Sequence, residues 1–112
     1  MNKYFILAVK SALKSKDNRH YYLGAVGIRS DGKIVKASNI PNQERNVKCH
    51  AETRLSRKLD IGSVVYVART NKNGNIILNS KPCNGCMNHL KARGVKEIYY
   101  TVSENKYERI IL

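Results

Sequence analysis

His50-Ala51-Glu52 and Pro82-Cys83-Asn84-Gly85-Cys86 stand about thirty residues apart, and a fold that serves both must bring them to one point. An imidazole and two thiolates are donors that zinc accepts, and with three protein ligands a fourth position stays open. A carboxylate that is not a ligand can then move protons. Helix geometry restricts how this is done. Cys83 and Cys86 are three apart, which on a helix puts them on one face, with Pro82 at the helix entry. His50 and Glu52 are two apart and point to roughly opposite sides of a regular helix. Both can address one metal only if His50 lies at the very start of the helix, in cap geometry. Glu52 then joins the inward stripe of Leu55 and Leu59, where a carboxylate is costly unless compensated. A bound zinc with its water is such a compensation. Two helix N-termini meeting at the ion also favour thiolate over thiol.

The elements around these motifs are short. Residues 3 to 16 read as a helix with Phe5, Ile6, Val9, Ala12 and Leu13 on one face and a stripe of Lys3, Lys10 and Lys14 beside it. Residues 21 to 29, the turn Ser30-Asp31-Gly32 and residues 33 to 38 read as a β-hairpin. A loop containing Pro41 leads to a helix over 51 to 59, ended by Asp60-Ile61-Gly62, and then to a nearly continuous apolar strand over 64 to 69. Asn73-Gly74 turns the chain. A helix over 84 to 93 stops at Gly94, and strands follow over 97 to 102 and 108 to 112. The last link is too short for the crossover that parallel neighbours need, so the final two strands should be antiparallel. The expected class is α/β, a mixed five-stranded sheet covered by three helices.

Size and charge bound the function. At 112 residues the chain fits one domain, residues 1 to 112. The apolar run from Tyr4 to Val9 is too short to span a bilayer, so a membrane role is not expected and the reading is cytoplasmic. Three cysteines, two of them in Cys-x-x-Cys spacing, suit metal binding better than a disulfide framework. Lys and Arg number 21 against 8 Asp and Glu, a net charge of +13. Zinc with two thiolates is neutral, so the excess survives metal binding and attracts polyanions.

A closed zinc staple is the structural alternative. Its fourth ligand would be Cys49 or His89, and it would leave Glu52 without a role. Cys49 reads instead as a buried small residue, and His20 and His89 as ordinary histidines.

The motif pair and the element order resemble the cytidine deaminase-like superfamily over nearly the whole chain. The resemblance implies an α/β/α sandwich with one catalytic zinc held by His50, Cys83 and Cys86. It implies that Glu52 is the proton shuttle in hydrolytic deamination of a nucleobase, most often cytosine. Asn39 is similar to an asparagine that many members use to hold the sugar, and Ala51, between ligand and shuttle, falls among the substrate contacts. A turn residue is the competing reading of Asn39. The short final hairpin resembles nucleoside deaminases and bacterial toxin deaminases, whose branch includes enzymes acting on DNA, more than the members acting on tRNA and many of those acting on single-stranded DNA, which add a helix and a parallel fifth strand.

Substrate size rests on charge. Lys48 flanks His50, Lys81 flanks Cys83, and Arg54, Arg57 and Lys58 share one face of the second helix, so a nucleic-acid backbone could be guided across the pocket mouth. Tyr107, in the last turn, is the aromatic side chain freest to stack. The favoured substrate is cytosine in single-stranded or flipped-out DNA or RNA. The alternatives are a free cytidine or nucleotide deaminase, as a homo-oligomer whose neighbours close the pocket, and a non-enzymatic zinc-stabilised nucleic-acid binder.

Overall fold

The first helix starts where the sequence supplies a cap. In the computed structural model, which describes residues 2–15, 22–40 and 50–112, the Asn2 side chain accepts from the Tyr4 N–H at 2.7 Å and α1 runs Lys3–Ala12. It stops four residues short of the expected end. Leu13 is the C-cap, and the Lys14 and Ser15 N–H groups turn back to the Ser11 and Ala12 carbonyls. The buried face also differs from the expected one: Phe5, Ala8 and Ala12 are buried, while Ile6 is 43% exposed and Leu13 41%.

The reason lies in the strand beneath. β1 (Tyr22–Ile28) and β2 (Ile34–Ser38) form the expected antiparallel hairpin, with Gly24 opposite Ser38 and Ile28 opposite Ile34. A Cβ on Gly24 would lie 2.0 Å from the Ala8 carbonyl oxygen and 2.5 Å from the Ala12 nitrogen. Helix and strand approach so closely that only the small-residue face of α1 fits, and the bulkier face is turned out. Gly24→Ala should therefore lower the unfolding free energy by about 3 kcal/mol, the upper end of the usual overpacking cost. Urea denaturation measures it, and an unchanged midpoint would show that α1 is not seated there.

The remaining elements are α2 (Ala51–Ser56), β3 (Val64–Thr70), β4 (Ile77–Leu78), α3 (Asn84–Ala92), β5 (Glu97–Ser103) and β6 (Lys106–Ile111). The sheet order is β2-β1-β3-β5-β6, and the two-residue β4 adds to the end of β3 beside Arg69 and Thr70. That short strand is additional to the five expected. β3 and β5 are parallel, joined through α3, and every other pair is antiparallel, including β5 with β6. α2 ends three residues early, at Ser56, and single turns carry the chain on to Leu59. β6 begins two residues earlier than expected. Glu104 and Asn105 make the link, Asn105 with φ 58°, so Tyr107 belongs to the strand and not to the turn.

Alternation along the strands sorts the core into two layers. Leu23, Ala25, Val65, Val67, Ile98 and Tyr100 pack with Ala51, Leu55, Leu59 and Leu90 under α2 and α3. Val26 and Ala68 face Ala8 of α1 on the other side. Tyr66 and Tyr99 also face that side, stacked at 4.8 Å and 10°, with Phe5 edge-on to Tyr66 at 5.2 Å. The sheet is thus sandwiched between α1 and the α2–α3 layer. Among the described residues no helix is long and apolar enough to cross a membrane.

Candidate metal centre

α2 is followed by β3, so its N-terminus points toward the carboxyl end of that strand, and α3 begins on the same side after β4. This brings the two helix starts together. His50 is the N-cap of α2 with φ −72° and ψ 146°, and its side chain makes no cap hydrogen bond. The cap position expected from the two-residue spacing is the one observed, and it leaves the ring directed at α3. His50 Nδ1 lies 3.3 Å from Cys86 Sγ and 3.7 Å from Cys83 Sγ. Cys83 is the N-cap of α3, its sulfur accepting from the Cys86 N–H at 3.5 Å.

The donor atoms of His50, Cys83 and Cys86 all lie within 4.8 Å of one another. Zinc with bonds of about 2.3 Å to sulfur and about 2.05 Å to nitrogen, at tetrahedral angles, holds N and S about 3.6 Å apart. The two observed N···S distances fall on either side of that value. The group is graded in depth: Cys86 is buried, His50 half-buried and Cys83 exposed, so the side of Cys83 faces solvent. His89, one turn after Cys86, is exposed and outside the group.

Glu52 is 2% exposed and lies on the inward stripe with Leu55 and Leu59. Its Oε1 is buried without a hydrogen-bond partner. Burial pushes its pKa up to about 7, against the opposing pull of its own backbone N–H and the Cys86 thiol. Burial likewise pushes the Cys86 thiol up, and the Glu52 charge adds to it. A buried carboxyl and a buried thiol that both resist ionisation in an apolar setting are what a divalent cation stabilises. The donor set, its spacing and the orphaned Oε1 all fit zinc.

Thr53 escaped the sequence reading. Its hydroxyl donates to Cys86 Sγ at 3.4 Å and is itself buried, so it steadies the thiolate from α2. Its place three residues after His50, on the same face of the helix, was the available signal.

The expected substrate contacts fare differently. Asn39 is 2% exposed, and its Oδ1 accepts from the Leu23 N–H at 3.0 Å, so this oxygen extends the hairpin ladder. Ala51 is fully buried and its methyl belongs to the core. Lys81 is exposed beside the buried Pro82, its N–H bonded to Asn79 Oδ1. Lys48, with Cys49 and His20, lies outside the described residues.

Residues 1–102 match the family described as the cytidine and deoxycytidylate deaminase zinc-binding region. The chain belongs to that family. Solved structures agree on the fold. Cytidine deaminase from Burkholderia pseudomallei is similar with a TM-score of 0.75 at 18% identity, covering 99% of this chain and 93% of that one. The Mycobacterium leprae cytidine deaminase gives 0.62 at 19% identity over 96% and 90%. The Mycobacterium tuberculosis enzyme gives 0.56 at 20% over 83% and 76%. Among curated proteins no sequence matches significantly. As a member of this deaminase family the chain is a zinc-dependent hydrolase of the cytidine deaminase type, and the His50, Cys83 and Cys86 group can hold the zinc.

Proposed function

We propose that the 112 residues act as one deaminase unit that converts cytosine to uracil in single-stranded or flipped-out DNA or RNA. The buried Glu52, with its Oε1 unpartnered, beside the His-Cys-Cys group carries the catalytic part of this reading. His50, Cys83 and Cys86 are the ligands in it. When bound, zinc supplies the Lewis acidity that makes water a nucleophile near neutral pH. Glu52 handles the protons. Placed beside the metal group, its carboxylate can accept a proton and return it, first to the ring nitrogen and then to the departing amine. Thr53 holds the Cys86 sulfur in place, and burial of Glu52 keeps bulk water from its carboxyl.

The net charge of +13 supports a polymeric substrate. A mononucleotide asks for one or two phosphate contacts, whereas a strand uses many. Lys81 beside Cys83, and Lys48 beside His50 in sequence, are the proposed flanking contacts, Asn39 and the Ala51 backbone the inner ones. A reducing, cytoplasmic setting suits two thiolate ligands. The names of the similar structures favour a second reading, a free cytidine substrate.

A substrate panel separates the two. Zinc-loaded protein is incubated with cytidine, cytidine and deoxycytidine monophosphates, and single- and double-stranded DNA and RNA, and product is scored by mass. The expected result is deamination of single-stranded oligonucleotides, with an efficiency that falls at least about tenfold between 50 and 200 mM salt. Turnover confined to free nucleosides and insensitive to salt would sink the polymer reading and leave the zinc chemistry standing.

A further inference from the structure

A basic cavity of about 430 Å³ opens between the end of α1, β2 and α2. Among the described residues its lining carries Lys14, Lys36, Arg54, Arg57 and Lys58 and no carboxylate. Two of these cations are fixed: Arg54 donates to the Ser38 carbonyl and Lys58 Nζ to the Lys36 carbonyl at 2.7 Å. Lys14, Lys36, Arg57 and Lys58 are exposed and Arg54 is half-buried. The ion pairs among the described residues lie elsewhere, joining Arg29 to Asp31 and Asp60, and Arg109 to Glu97. Five like charges around one concavity repel one another, and a polyanion relieves that repulsion.

The cavity lies further along α2 from the metal group, whose His50, Cys83 and Cys86 are not in its lining. The Arg54 N–H bonds the His50 carbonyl at 3.0 Å, so the cavity's first cation sits one turn beyond the proposed ligand. At about 1.5 Å per residue, Arg54 stands about 6 Å from His50 along the axis of α2, a span of about two nucleotides of stacked strand. We propose that this cavity binds the phosphodiester backbone next to the base that enters the metal site, an assignment that rests on the polynucleotide reading above. Arg54, half-buried and bonded to the Ser38 carbonyl, anchors it, and the exposed Lys14, Lys36, Arg57 and Lys58 close on the phosphates.

The test compares two triple variants of equal charge loss. One is Lys14→Gln, Lys36→Gln, Arg57→Gln in the cavity. The other is Lys72→Gln, Lys91→Gln, Lys96→Gln at exposed positions away from it. Binding to a labelled oligothymidine, which has no amine to lose, is followed by anisotropy across a salt series. Each lost single-strand phosphate contact reduces the salt slope by about 0.7, so the cavity variant should be shallower by about 2 and bind at least about tenfold more weakly at low salt. The distant variant should keep most of its slope, and both should keep their thermal midpoint and zinc content. If the triple cavity variant does not fold, Arg57→Gln alone should still lower the slope by about 0.7. Equal losses in the two triple variants overturn the assignment. A native protein that deaminates oligonucleotides, with an unchanged slope in the cavity variant, overturns the cavity alone. A native protein that acts on cytidine and does not bind the oligomer overturns the polynucleotide reading with it.

Discussion

Glu52→Gln should lose at least about 10³-fold in deamination rate while the protein still binds one zinc, as expected when the group that carries every proton is removed. The substitution keeps the shape of the side chain and replaces a carboxyl that burial already pushes toward its neutral form. Stability should therefore not fall, and a small rise in thermal midpoint is the expected sign. The decisive pair of measurements is product by mass and zinc by elemental analysis on the same sample. Full activity in this variant would remove Glu52 from the mechanism. Loss of zinc together with loss of activity would make the residue a part of the metal site instead.

Removing the metal should have the larger structural effect. Cys86 is fully buried between α2 and α3, and its neighbours His50 and Thr53 both come from α2 or its cap. Chelation should abolish activity and lower the thermal midpoint, because an ion that binds only the native state stabilises it by RT ln(1 + [L]/Kd). At free zinc about 1,000 times Kd this is about 4 kcal/mol, or on the order of 15 °C for a domain of this size. Added zinc should restore both. Cys86→Ser should mimic the chelated protein and resist rescue. A midpoint that ignores chelator, in protein shown to contain zinc, would place the ion somewhere other than between these helices.

The metal centre was the most legible part of the sequence because spacing alone constrains it. Two-residue separation of His50 and Glu52 demands a cap for one and an inward position for the other, and both are found. Topology was legible where a link was short, as between β5 and β6. The outward face of α1 was not, because it depends on how close Gly24 comes, and that is a property of two segments at once. Asn39 shows the same limit. Its Oδ1 serves the Leu23 backbone, a partner sixteen residues away that only the closed hairpin supplies. β4 is two residues long and exists by pairing with the end of β3, which leaves no periodicity to read.

The turn at residues 29–33 lies at the opposite end of the sheet from the helix starts, since Ile28 pairs with Val64 where β3 begins. Ser30 is fastened there to Asp60 through its N–H and its hydroxyl, while a Cβ on Gly32 would meet nothing within 4 Å. Chemistry and anchorage thus occupy different poles of the molecule. For anyone building with this scaffold, this turn is the natural point of attachment, with Gly32 kept as glycine for its φ of 87°: a reporter or a tether inserted beside it would travel with the protein and leave the entrance to the catalytic pocket open.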